Sequence, residues 1–302
     1  MSKLIKTIHL REYIIASVIA ITGIILGTIF DLNISKSVYD PINTSMYGVI
    51  GSGFAEIGVI YCLFFGGFGL IISRLNKTKV TSIICIILGI AAIAIGIYFF
   101  VHYFNMMTKF EVMKEHKTLI LVLSIVTTLI FLGAVGCFVI FSKFDKQRLF
   151  AISMTLIITA AIVALVGTAL KYVISRPRPY YILDGHLDEF RNWYEFNWFA
   201  SIRLGDAFKS CPSGHSIYGT TIVIALPLMF KLSPKFDDKK YVGVIAFYVG
   251  LMVAICGAVS RIFAGAHFLS DISIGVLVSL LLTILSTFLV DTFAPKLEKF
   301  RK

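Results

Sequence analysis

Apolar positions along this chain come in long unbroken runs, separated by short polar segments. Eight runs approach the length of about 20 residues that a helix needs to cross a bilayer: 13–30, 47–73, 80–104, 118–141, 149–170, 216–230, 241–260 and 266–290. The pattern predicts an all-α, polytopic bundle of about eight transmembrane helices. Run 216–230 is short and holds Pro227, so its helix is expected to begin earlier or to sit with its outer end recessed to headgroup depth. No internal repeat, low-complexity linker or soluble domain interrupts the series, and the longest non-apolar stretch, 171–210, is too short to form such a domain.

Composition agrees with this reading. Of the 302 residues, 58% are apolar and mean hydropathy is +0.89, against roughly 45–50% apolar residues in an ordinary soluble domain. The formal charge of +11 does not point to nucleic acid, because the basic residues cluster in short segments between the runs. One alternate set of segments holds Lys3, Lys6 and Arg11; Arg74, Lys77 and Lys79; Lys143, Lys146 and Arg148; Lys231, Lys235, Lys239 and Lys240; and Lys296, Lys299, Arg301 and Lys302. By the positive-inside rule that set is cytoplasmic. Both termini are then expected inside, and the junction around 260–271 outside, in what is expected to be a bacterial plasma membrane. Lys3, Lys6 and Arg11 resemble the n-region of a signal peptide, but no convincing cleavage site follows Phe30, so the first run is expected to be retained.

The cysteines show no framework of spacings, and neither structural disulfides nor a cysteine metal site is expected. Glu56 stands well inside an early run; an intramembrane carboxylate is a functional candidate, and the expectation here is that it satisfies a neighbouring helix. Segment 171–210 concentrates Trp193 and Trp198 with Tyr180, Tyr181, Phe190, Tyr194, Phe196 and Phe199. Such density suits the outer interface, as a lid over a lipid cleft or as simple anchoring.

Candidate chemistry gathers at three run ends on the predicted outer face. Lys171 precedes the run Ser175-Arg-Pro-Arg-Pro179; Cys211-Pro-Ser-Gly-His215 opens the sixth run; Ser260, Arg261, His267 and Asp271 lie between the last two. The last group has a plain alternative as an interfacial cap, with Arg261 snorkelling. If a helix begins near Ala266, however, His267 and Asp271 share one face and the carboxylate orients the imidazole. These residue types suit a phosphate ester. Lys171, Arg178 and Arg261 neutralise phosphoryl oxygens, Ser213 caps a helix whose amides face an anion, and Gly214 permits close approach. His267 is the nucleophile and His215 the general acid; no metal and no cofactor are required. Arg176 is expected to be solvated.

Lys171-x6-Arg178-Pro179, Pro212-Ser213-Gly214-His215 and Ser260-Arg261-x5-His267-x3-Asp271 together resemble the three-part signature of the type 2 phosphatidic acid phosphatase superfamily, which includes lipid phosphate phosphatases and vanadium haloperoxidases. The resemblance implies a helical catalytic domain over 149–302, with 1–148 as transmembrane helices of unassigned role. It also implies metal-independent hydrolysis through a phosphohistidine on His267, oriented by Asp271. His215 protonates the leaving group, while Lys171, Arg178, Ser213, Gly214 and Arg261 hold the phosphate. Undecaprenyl diphosphate, phosphatidic acid, phosphatidylglycerol phosphate or a lipid A phosphate would serve as the lipid partner. A lipid phosphotransferase using the same phosphohistidine is the alternative. A transporter fits less well, since the charges collect at helix ends and not at midplane.

Overall fold

The computed structural model describes residues 10–40, 45–54, 56–73, 78–108, 136 and 145–299. Every regular element among them is helical: α1 (Leu10–Val38), α2 (Met46–Phe54), α3 (Ile57–Ser73), α4 (Lys79–Thr108), α5 (Lys146–Ile174), α6 (Pro179–Leu183), α7 (Ala200–Leu204), α8 (Gly214–Thr220), α9 (Ile222–Phe230), α10 (Lys240–Phe263) and α11 (Leu269–Lys299), joined by loops and short 3-10 turns. Five of these, α1, α4, α5, α10 and α11, are long and apolar enough to cross a membrane, and α3 and the α8–α9 pair add shorter apolar helices. The chain is an integral membrane protein. The expected run 118–141 lies outside the described residues. Run 47–73 is not one continuous helix: it divides into α2 and α3 around Glu56, where an acidic side chain and closely spaced glycines interrupt the apolar sequence.

Burial separates inner helices from outer ones. Half of the apolar window of α5 and of α11 is buried, against 22% for α1 and α4. Phe65, Leu149, Ile152, Leu156 and Ala225 join α3, α5 and α9 in one core. Tyr13, Ala16, Phe247, Leu251 and Leu280 join α1, α10 and α11 in a second. Polar pairs stitch helices together, since a buried hydroxyl has no water to turn to in lipid: Thr159 and Ser286 meet at 2.5 Å between α5 and α11, and Thr283 of α11 donates to the Tyr13 hydroxyl of α1 at 3.2 Å.

Local chemistry sets the ends of α5. Asp145 caps its start, accepting from the Gln147 and Arg148 amides at 2.9 and 3.0 Å. At that end Arg148 also makes a bidentate pair with Asp237, at 2.8 and 3.0 Å. At the other end Ser175 turns left-handed (φ 45°) and Pro177 keeps α5 from continuing, while Pro179 stands at the first position of α6. Beyond it the connection carries exposed Tyr194, Phe196, Trp198 and Phe199, a composition suited to the interface, while Trp193 donates to Thr28 of α1 at 2.9 Å.

Candidate active site

The α10–α11 corner is built first by backbone. Gly265 adopts φ +64°, and a Cβ there would press into the Tyr39 ring, so neither the conformation nor the space suits another residue. The chain then doubles back over its own helix end: the Ala266 and His267 amides donate to the Arg261 carbonyl at 3.0 and 3.3 Å. Helix α11 begins only at Leu269, so the expected start near Ala266 is wrong and His267 and Asp271 do not share a helix face. The reason is visible locally. Asp271 accepts the Phe268 amide at 2.9 Å and so caps the beginning of its own helix, leaving His267 in the corner.

His267 is fully buried, and its Nδ1 lies 2.7 Å from the Ser210 carbonyl. A carbonyl only accepts, so Nδ1 carries the proton and Nε2 the lone pair. That Nε2 has no partner. Burial, then the nearby cations Arg178, Lys171 and Arg261, and then His215, push the His267 pKa well below the ordinary histidine value, which keeps the ring neutral.

The carboxylate that orients His267 is therefore not bonded to it, contrary to the expectation for Asp271. Asp271 instead accepts from Ser210 Oγ at 2.5 Å and from Arg176 Nη1 at 2.6 Å. It acts on the imidazole one residue removed, by fixing Ser210. The expectation that Arg176 is solvated also fails. Arg176 is completely buried, pairs with Asp31 of α1 at 3.0 Å, donates to Ser270 at 2.8 Å and to the Arg191 carbonyl at 2.7 Å, and stacks 4.2 Å from the Phe268 ring centre. Asp31 in turn accepts the Ser270 amide at 3.0 Å and its hydroxyl.

The other predicted residues meet at the same end of the bundle. Arg178 is held by Asp206, whose backbone carbonyl accepts at 2.9 Å and carboxylate at 3.1 Å, and it reaches the Ala266 carbonyl at 3.4 Å. Ser213 caps α8 by accepting the Ser216 amide at 3.3 Å, and its own amide donates to the Asp271 carbonyl at 3.0 Å. At Gly214 a Cβ would stand 3.1 Å from Lys171 Nζ, so the absence of a side chain lets the amine come in close. The rings of His215 and His267 are 6.2 Å apart. Buried Arg261 leaves Nε and Nη1 without a partner, and among the described residues neither it nor Lys171 has a carboxylate within 4 Å. Buried donors without acceptors are rare in a finished fold, and here they belong to an arginine whose charge acts on the imidazole with the unpartnered lone pair. An anion with several acceptor oxygens would answer both.

Sequence reasoning missed Asp31, Asp206, Ser210 and Ser270. Only Ser210 had a local signal, standing immediately before the Cys211-Pro212 step.

Residues 150–294 match the model of the PAP2 superfamily. Over 95 residues the chain is 37% identical to phosphatidylglycerophosphatase B of Bacillus subtilis (strain 168), an alignment that covers 31% of this chain and 43% of that relative, less than half its length. No solved structure matches.

Proposed function

Because residues 150–294 of this chain are a PAP2 superfamily domain, we propose that the protein is a membrane-embedded phosphatase acting on the phosphomonoester or diphosphate of a lipid, through a phosphohistidine on His267. One observation carries the reading: the lone pair of His267 Nε2 is buried without a partner, and Arg261, whose charge acts on that imidazole, holds buried donors without one. Nε2 attacks phosphorus as the bond to the lipid oxygen breaks, and charge on the phosphoryl oxygens is met by Arg261, Arg178 and Lys171. His215 gives a proton to the departing oxygen. Water, giving a proton back to His215, then attacks phosphorus and releases phosphate from His267. Asp271 keeps Ser210, and through it the imidazole, in place.

The chemistry proposed uses these side chains alone. The likeness to a protein named for phosphatidylglycerol phosphate puts that lipid beside phosphatidic acid, undecaprenyl diphosphate and a lipid A phosphate as substrates. The basic clusters around Arg148 and Lys231 lie at the opposite helix ends, which supports an extracytoplasmic site with cytoplasmic termini.

The test is phosphate release by the purified protein in detergent and EDTA, from those four lipids, beside His267→Ala. Release that vanishes in the variant and is blocked by vanadate is expected, with a phosphorylated His267 recovered after rapid quenching. Turnover by His267→Ala would overturn the mechanism, and silence toward every lipid would overturn the function.

A further inference from the structure

Glu56 lies outside the PAP2 domain, between α2 and α3, yet it faces the candidate site. It is buried, its Oε1 lies 3.7 Å from His215 Nε2, and neither its Oε2 nor His215 Nε2 has a hydrogen-bond partner. The expectation that it satisfies a neighbouring helix fails on that point. Three close approaches bring it there. A Cβ on Gly48 would stand 2.9 Å from the Ala264 nitrogen, one on Gly51 would enter the Ser260 side chain, and one on Gly58 would stand 2.6 Å from the Gly219 and Tyr218 carbonyls. Helix α2 is thus pressed on the end of α10 that carries Arg261, and the start of α3 on α8, which carries His215.

His215 needs such a neighbour. A general acid must hold its proton before it can give it away, and burial first, then the charges around His215, oppose that: Arg261 from α10, Lys171 from α5, Arg178 from the start of α6 and His102 from α4, with the His267 ring 6.2 Å away. Glu56 brings a carboxyl group within ion-pair distance of this imidazole; it faces Arg261, Lys171 and Tyr218 as well. At 3.7 Å the two groups are close without a hydrogen bond, which leaves a proton on His215 Nε2 free for an arriving ester oxygen.

Resting on the phosphatase reading above, we propose that Glu56 is a positioning residue for the general acid, holding His215 as the imidazolium until the lipid oxygen departs. In the first step the P–O bond breaks, the bond from His267 Nε2 to phosphorus forms, and the His215 proton passes to the lipid oxygen. In the second, water oxygen bonds to phosphorus, the N–P bond breaks, and His215 takes the water proton, again opposite the Glu56 carboxylate. The N-terminal helices therefore contribute to chemistry as well as to membrane anchorage.

The test compares Glu56→Gln with wild type on two phosphate esters, phosphatidic acid and 4-nitrophenyl phosphate. The alkoxide of the first needs a proton to leave, whereas the nitrophenolate of the second leaves without one. We expect kcat on phosphatidic acid to fall about 10- to 100-fold with little change in KM, a share of the 10²–10⁴ that general acids supply. The loss on the nitrophenyl ester should be far smaller, and the alkaline limb of the kcat profile should move to lower pH. His215→Ala should show the same ester dependence, and adding Glu56→Gln to it should remove nothing more. Equal loss on both esters, a loss confined to KM, an unmoved pH limb or additive effects in the double variant would overturn the role of Glu56. A wild type inactive on every phosphate ester would instead overturn the phosphatase reading on which it rests.

Discussion

Two groups of buried charge flank His267, and they are finished to different degrees. On one side Arg176 is enclosed by Asp31, Asp271, Ser270 and the Arg191 carbonyl, with its guanidinium stacked on Phe268. On the other, Arg261, His215, Glu56 and the His267 Nε2 retain buried atoms with no partner. A polar network in which every member is satisfied specifies the fold. One that is left open in the same low-dielectric setting is waiting for a ligand or for chemistry. The two sides meet at residues 210 and 267, where the Ser210 carbonyl holds the imidazole whose far nitrogen faces the open side. Stability and catalysis should therefore separate across this histidine.

The largest separation is expected from His267→Ala, which should remove turnover on the order of 10⁴-fold or more while the thermal midpoint in detergent stays close to wild type. Arg176→Ala should do the reverse in kind. It strands two buried carboxylates, and breaking such a pair costs about 3–5 kcal/mol, so thermal unfolding should come markedly earlier, with activity lost only as the fold is lost. If Arg176→Ala proved as stable as wild type, the closed side would not be structural. Next in size is Arg261→Met. Its guanidinium is buried without a carboxylate, so the apolar replacement should leave the midpoint unchanged or raised, yet abolish the extra stability that vanadate gives the wild type. Asp31→Asn should be milder than Arg176→Ala, about 1–3 kcal/mol, because Arg176 keeps Asp271.

The same division explains what could be read from the sequence. Residues on the open side had to be of particular types for phosphoryl chemistry, so Lys171, Arg178, Ser213, Gly214, His215, Arg261 and His267 stood out by type and spacing alone. The closed side is specified by contact. Arg176 lies between Ser175 and Pro177, two residues before Arg178, and nothing local tells that its partner is Asp31, in another helix 145 residues away. Asp31 follows the end of an apolar run and reads as a boundary residue until α11 is laid beside α1. Asp271 was recognisable as necessary, but its partner was not, because the start of α11 depends on the capping bond to Phe268. Glu56 stood out as a carboxylate in an apolar run. Its direction was hidden, since it depends on how closely Gly48 and Gly51 let α2 approach α10 and Gly58 lets α3 approach α8.

The smallest expected effect concerns pH, and it tests whether the open side governs His267. Burial, then Arg178, Lys171 and Arg261, and last His215, hold its pKa well below the ordinary value, which is about 6.5. In the unfolded chain this histidine takes up a proton near that ordinary value, whereas in the folded protein it does so only at lower pH. Its contribution to stability is accordingly complete above about pH 6.5 and is lost as pH falls through the window down to the folded pKa. Turnover runs on the neutral ring, so kcat/KM, which reports the free enzyme, should keep its plateau to pH values where an ordinary histidine is already protonated. Lys171→Met removes one of the cations that disfavour protonation and should move the acid limb upward, toward the ordinary value. The movement should be modest, because burial is the larger cause and the substitution leaves it in place. An acid limb that stayed at the ordinary histidine value in wild type would mean that the cations and the burial do not act on the group that attacks phosphorus.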